Sequence, residues 1–202
     1  LGICLGFQMA VIEFARHVAG IEDASSNEFS ADACSGVIDM LPEQKKIEGL
    51  GGNMRLGGKD VLIVPNTLAA FLFQDEAGHE GPGPGSETRD AGQFTIRRRF
   101  RHRYEVDPLY VKRLEQHGLI FSGRHPDQPI MQVLECGLAQ HPYFIGAQFH
   151  PELTSRPLCP APMFMGLVAA AIAHANPDIP AEEISERWLP AARNRVVQTA
   201  PG

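Results

Sequence analysis

No apolar run in the 202 residues approaches the roughly 20 residues that span a bilayer. The longest, 164–173, is short and alanine-rich. No basic stretch followed by an apolar one opens the chain, so neither a secretory signal nor a membrane partner is expected. Cysteine is scarce. Cys4, Cys34, Cys136 and Cys159 form no C-x-x-C pair and no Cys/His spacing of the zinc type. A metal centre and a disulfide framework are therefore both unexpected, and free thiols in a reducing, cytoplasmic setting follow. Positive charge is not in excess either. The net charge of -6 argues against a partner with a phosphate backbone, nucleic acid included.

What is present reads as one globular domain over 1–175 and a carboxy-terminal tail over 176–202. The opening residues 1–20 read as strand, sharp turn, helix and glycine stop. Phe7, Ala10, Val11, Phe14, Ala15 and Val18 recur at helical spacing, and Gly20 stands where the helix would end. Residues 21–60 are mixed, with a glycine-rich stretch at 49–60 that suggests a hairpin or irregular strand. Residues 61–64 read as a strand, 68–73 as a short helix, and 74–93 as a polar surface loop with nothing to bury. A basic strand or turn follows at 94–107. Asp107-Pro108 then marks a helix start, with Asp as cap and Pro at the first helical position, and Gly118 ends that helix. Strands are expected at 119–122, 130–135 and 143–149, a helix at 161–175 and a short one at 181–188. The expected class is α/β: an open, mostly parallel sheet flanked by helices, with antiparallel strands added towards the end. It would be incomplete at its amino-terminal end, because Leu1 is not an initiator Met and a core strand already opens the chain.

Gly2-Ile3-Cys4-Leu5-Gly6 has the form G-x-C-x-G, the thiol counterpart of the nucleophile elbow. The nucleophile of such an elbow sits on a strained turn between strand and helix, where flanking glycines avoid Cβ clashes. The helix amino terminus beside Cys4 favours its thiolate, and the Leu5 N–H can donate to an oxyanion. A thiol nucleophile needs a base, and the base needs an orienting partner. Phe149-His150-Pro151-Glu152 supplies both, because residues two apart in an extended run project the same way. His17, His79, His117, His125, His141 and His174 sit on exposed helix faces, in turns or at helix ends, and none is expected to be catalytic or metal-binding.

A cysteine elbow with a distant H-P-E resembles the class I (triad) glutamine amidotransferases. Five ordered blocks are similar to the CTP synthases among them: G-I-C-L-G-F-Q, A-R-H-V-A-G-I-E-D-A-S-S-N-E-F, G-G-N-M-R-L-G, R-H-R-Y-E-V-D and F-I-G-A-Q-F-H-P-E-L-T-S-R-P. The resemblance implies release of ammonia from L-glutamine by Cys4, His150 and Glu152, for ATP-dependent amination of UTP to CTP. It also implies glutamine-binding roles for Leu5, Gln8, Glu28, Arg103 and Tyr104. Glu28 would hold the amino group, and Arg103 the carboxylate, which suits a guanidinium fork.

ATP, UTP and magnesium would belong to an amino-terminal synthetase domain, so no cofactor is expected in this chain. That domain would be its partner, in a homo-oligomeric full protein. The upstream loop that gives the family its second oxyanion donor would precede Leu1. I-R-R-R-F before R-H-R-Y-E departs from the family pattern, as does the glycine-proline segment 78–85. Another class I amidotransferase, or a truncated non-catalytic module, are the alternative readings.

Overall fold

The computed structural model describes residues 1–29, 35–40, 54–76 and 92–190. Cys34, His79, residues 49–53 of the glycine stretch, 77–91 of the expected loop and 191–202 of the tail lie outside the described residues. The larger sheet contains β1 (Gly2–Ile3), β4 (Arg55–Ile63), β5 (Phe94–His102), β7 (Leu119–Arg124), β8 (Met131–Cys136) and β9 (Ile145–Ala147), in the order β1-β9-β8-β7-β4-β5. A second sheet joins β2 (Ala24–Ser26), β3 (Ser35–Asp39) and β6 (Glu105–Val106). The helices are α1 (Leu5–His17), α2 (Leu68–Leu72), α3 (Pro108–Gln116), α4 (Pro162–Ala175) and α5 (Ala181–Ser185).

The α/β class is as expected, with helices flanking a mixed sheet, but the antiparallel share is larger than expected. Among the described residues the larger sheet has five pairings, of which β1 with β9 is parallel and the other four are antiparallel. Connectivity explains this. Only residues 125–130 separate β7 from β8, too few for a parallel crossover. The sheet also curls. β5 and β9 are far apart in strand order, yet the His150 N–H donates to the Arg99 carbonyl at 2.9 Å.

Side-chain alternation divides the core in two. Val133 joins Val61, Ile63, Ile96, Phe100 and Ala147 beneath α2 and α4, whereas its neighbour Leu134 joins Phe7, Val11, Phe121 and Leu114 beneath α1 and α3. Phe73, Phe100 and Phe149 meet edge to face, with Phe149 ring centroids 6.3 Å from Phe73 and 5.9 Å from Phe100. Each fully buried ring contributes about 1.5–3 kcal/mol. The buried stripe of α1 is rotated from the expected one: Phe7, Gln8, Val11, Ile12 and Ala15 are buried, while Val18 is half exposed. α1 touches β1, β9 and the small sheet, so its inward face follows both layers rather than the apolar period alone. After α1 the left-handed Gly20 (φ 65°) turns the chain, and the Ile21 N–H returns to the Ala15 carbonyl at 2.8 Å.

Caps act where the sequence places them. Asp107 accepts the Leu109 N–H at 2.9 Å with Pro108 opening α3, and Thr67 accepts the Ala70 N–H at 3.0 Å for α2. α5, Trp188 and Leu189 pack on the first cluster, where the Arg187 Nε donates to Asp75 Oδ2 at 2.6 Å. Among the described residues no helix is long and apolar enough to cross a membrane.

One buried carboxylate carries part of this scaffold. Glu135 on β8 accepts the free N–H groups of Leu68 (2.7 Å) and Ala69 (3.0 Å) at the start of α2. Burial nevertheless pushes its carboxyl above the ordinary 4.5. Folding therefore takes up a proton. The associated stability is complete below pH 4.5 and is lost as pH rises through the raised folded value. Urea unfolding is expected to show Glu135→Ala less stable by about 2–4 kcal/mol, from two orphaned N–H groups. The stability of the parent relative to Glu135→Gln is expected to fall with pH across that window. A pH-independent difference would contradict the assignment.

Candidate active site

The site is built on a backbone turn. Cys4 joins β1 to α1 with φ 51° and ψ -103°, a left-handed conformation that costs a non-glycine residue about 1–3 kcal/mol. The turn holds because the Cys4 N–H donates to the Ala147 carbonyl at 2.7 Å, continuing the β1–β9 ladder. Gly2 permits it. A Cβ there would lie 2.6 Å from the Gly6 carbonyl oxygen. Gly6 itself has open space around it, so steric need applies to one of the two elbow glycines, not both as expected.

β9 leads from that anchor to the base. His150 Nδ1 and Glu152 Oε1 are 2.6 Å apart, but not through the extended run expected: Pro151–Leu153 forms a 3-10 turn that brings the carboxylate to the ring. The other ring nitrogen, Nε2, is buried with no hydrogen-bond partner among the described residues. The β5 strand closes the opposite side with its backbone. The Arg101 carbonyl lies 3.9 Å from Cys4 Sγ, and the Arg99 carbonyl holds the His150 N–H. This gives the basic run a structural use. Arg97 meanwhile pairs with Asp60 at 2.8 Å, and Arg98 pairs with Glu76 at 2.5 Å.

The electrostatics differ from the simple elbow expectation. The Leu5 N–H does favour the thiolate, but burial outweighs it and pushes the Cys4 thiol up, with the Glu152 and Glu28 charges adding in the same sense. Burial thus favours the neutral thiol over the thiolate at Cys4.

The expected glutamine-binding residues surround this turn. Leu5 and Glu28 are exposed, and the Glu28 charge is felt at Cys4. Arg103 is exposed, and its guanidinium has no hydrogen bond or ion pair among the described residues. Gln8 is buried (3% exposed), and its Nε2 donates to the Tyr104 carbonyl at 2.9 Å and to Gln148 Oε1 at 3.1 Å. Only its carbonyl oxygen is left to meet a ligand.

Further residues stand outside the expected set. Gln148, fully buried, presents its Nε2 to Cys4 Sγ at 3.7 Å. No local pattern marked it, because the stretch from the end of β9 to Glu152 does not stay extended. His102 Nε2 and Glu105 Oε1, both buried, meet at 2.8 Å across the Arg103–Tyr104 turn. Arg55 Nε reaches the same oxygen at 3.2 Å, as an ion pair rather than an aligned hydrogen bond. Among the described residues no group of three or more His, Cys, Asp or Glu could hold a metal ion.

The family profile "Glutamine amidotransferase class-I" matches residues 1–170. The chain belongs to the class I glutamine amidotransferases. Within them it is 47% identical over 171 residues to the CTP synthase of Methanopyrus kandleri, covering 85% of this chain and 28% of that protein. To the CTP synthase of Rubrobacter xylanophilus it is 45% identical over 192 residues, 95% of this chain and 30% of that protein. It therefore spans under a third of these curated relatives. A solved Trypanosoma brucei CTPS glutaminase domain with bound acivicin superposes with a TM-score of 0.68 at 31% identity, over 85% of this chain and 59% of that one. The amidotransferase domain described here is thus homologous to the glutaminase domain of CTP synthases.

The elbow makes a discriminating prediction. Gly2→Ala is expected to destabilise the chain by about 1–3 kcal/mol in urea unfolding, because backbone must shift to admit the methyl. Gly6→Ala is expected to leave stability unchanged or raise it by up to about 1 kcal/mol, since alanine is the better helix former. Equal losses for both would contradict the geometry.

Proposed function

We propose that this amidotransferase domain hydrolyses glutamine to glutamate and ammonia, and that the ammonia serves ATP-dependent amination of UTP to CTP in a longer protein. One observation carries the reading. The strained Cys4 elbow is bonded to the strand whose exit bears the His150–Glu152 pair. The similarity to CTP synthases supports the product. ATP, UTP and magnesium are assigned to the synthetase part of that protein, a homo-oligomer. The free thiols of Cys4, Cys136 and Cys159 suit a cytoplasmic setting.

In this reading Cys4 Sγ attacks the side-chain amide carbon of glutamine while His150 takes the thiol proton. A base that acts during attack is what a raised thiol requires. The Leu5 N–H donates to the oxyanion. His150, oriented by Glu152, passes the proton to the leaving nitrogen, and ammonia departs. A γ-glutamyl thioester remains. His150 then takes a proton from water, the water oxygen attacks the thioester carbon, and glutamate leaves as Sγ recovers its proton. Arg103 pairs with the substrate carboxylate and Glu28 with its ammonium group. Tyr104 supplies backbone beside them. The buried His102–Glu105 contact braces that turn from behind.

In the whole protein, Cys4→Ala is expected to abolish glutamine-dependent glutamate release while leaving CTP formation from free ammonia intact. Glu152→Gln is expected to lower kcat for glutamine by about 10²–10⁴. Glutamate release that survives Cys4→Ala would overturn the reading.

A further inference from the structure

We propose that the side-chain amide of Gln148 is a fixed hydrogen-bond donor to the Cys4 sulfur, placed to hold that sulfur and to stabilise its thiolate as attack proceeds. The inference rests on Cys4 being the nucleophile.

The orientation of this amide follows from a chain of contacts anchored in backbone. The Tyr104 carbonyl can only accept, so Gln8 must turn its NH₂ towards it, at 2.9 Å. The same NH₂ lies 3.1 Å from the Gln148 side chain, which must therefore present its oxygen there. That leaves the Gln148 NH₂ facing Cys4 Sγ at 3.7 Å. Flipping either amide would set two donors or two acceptors against each other. The chain is also immobile. Gln148 is fully buried, Gln8 is 3% exposed, and the Gln148 N–H is tied to the Gln132 carbonyl at 2.9 Å.

The surroundings make such a donor consequential. Glu28 after β2 and Glu152 after β9 both oppose negative charge on the sulfur, as does burial. β5 presents the Arg101 carbonyl to it, an acceptor that also suits the thiol rather than the thiolate. The Arg101 side chain is exposed to solvent, which screens its charge. Against these stand the Leu5 N–H and the Gln148 amide. In the acylation step the Leu5 N–H is needed by the oxyanion. Gln148 is then the donor that remains on the sulfur.

The test is the pH dependence of Cys4 alkylation by iodoacetamide in the whole protein, read by peptide mass spectrometry, with exposed Cys159 as the internal reference. Gln148→Met keeps the length and removes the donor. Its acid limb for Cys4 is expected to move up by about one pH unit, so that alkylation at pH 7 slows about tenfold. Cys159 is expected to be unchanged. Gln148→Leu also removes the donor without adding charge or a new O–H, and is expected to show the same displacement. An unmoved limb in Gln148→Leu would overturn the proposal, even if Gln148→Met failed to fold. A uniform slowing at all pH values, with no displacement, would likewise overturn it, because packing alone gives that result. Alkylation reads the sulfur and not turnover. Loss of the glutaminase reading would appear as an absence of glutamate release in the parent, and failure of the donor as an unmoved limb in a protein that does release glutamate.

Discussion

The hydrogen bond from the Cys4 N–H to the Ala147 carbonyl, 2.7 Å long, is the contact on which the site depends. It fixes a left-handed cysteine that would otherwise relax, and it registers the nucleophile against β9. Everything else in the triad follows from where β9 goes next. Gln148 and His150 follow the end of β9, and Glu152 lies in a 3-10 turn, Pro151–Leu153, that brings its carboxylate to the imidazole. A parallel pair brings the carboxyl ends of two strands together, and here it brings thiol and imidazole to the same end of the sheet. Among the described residues, the one parallel pairing of the larger sheet is therefore the one that joins Cys4 to the strand leading to His150.

Around this anchor the curled sheet brings β5 close, and β5 contributes backbone rather than charge. Its Arg99 carbonyl holds His150, its Arg101 carbonyl faces the sulfur, and the Tyr104 carbonyl just beyond it fixes Gln8. Of the arginines of the run, Arg97 pairs with Asp60 and Arg98 with Glu76. Arg103 alone follows the turn that the buried His102–Glu105 contact braces. The balance at the sulfur is set against a standing thiolate, because burial and two carboxylates outweigh the helix amino terminus.

Much of this was legible in the sequence because it is local. G-x-C-x-G and the Asp-Pro cap each declare a conformation within a few residues, and F-H-P-E pairs His150 with Glu152, although through a 3-10 turn and not the expected extended run. The unforeseen features are non-local. β2 and β3 are short, and Ala24-Ser25-Ser26 shows no apolar alternation; β2 forms by pairing with β3, which pairs in turn with distant β6. The rotated stripe of α1 depends on a second layer that its own period cannot announce. Glu135 reads as an ordinary strand polar residue until α2 is placed above it. No local pattern marks Gln148, and its role needs Gln8 and the Tyr104 carbonyl, which lie far away in sequence. The second elbow glycine shows the reverse case. A motif position suggested a steric demand that the fold at Gly6 does not make.

The central claim is covalent catalysis by Cys4, and trapping of the acyl intermediate tests it most directly. Glutamine turned over by the whole protein in the presence of hydroxylamine is predicted to yield γ-glutamyl hydroxamate at the expense of glutamate, with ammonia release unchanged. Glutamate formed without any hydroxamate, at saturating hydroxylamine, would mean that water attacks the amide directly and would contradict the account.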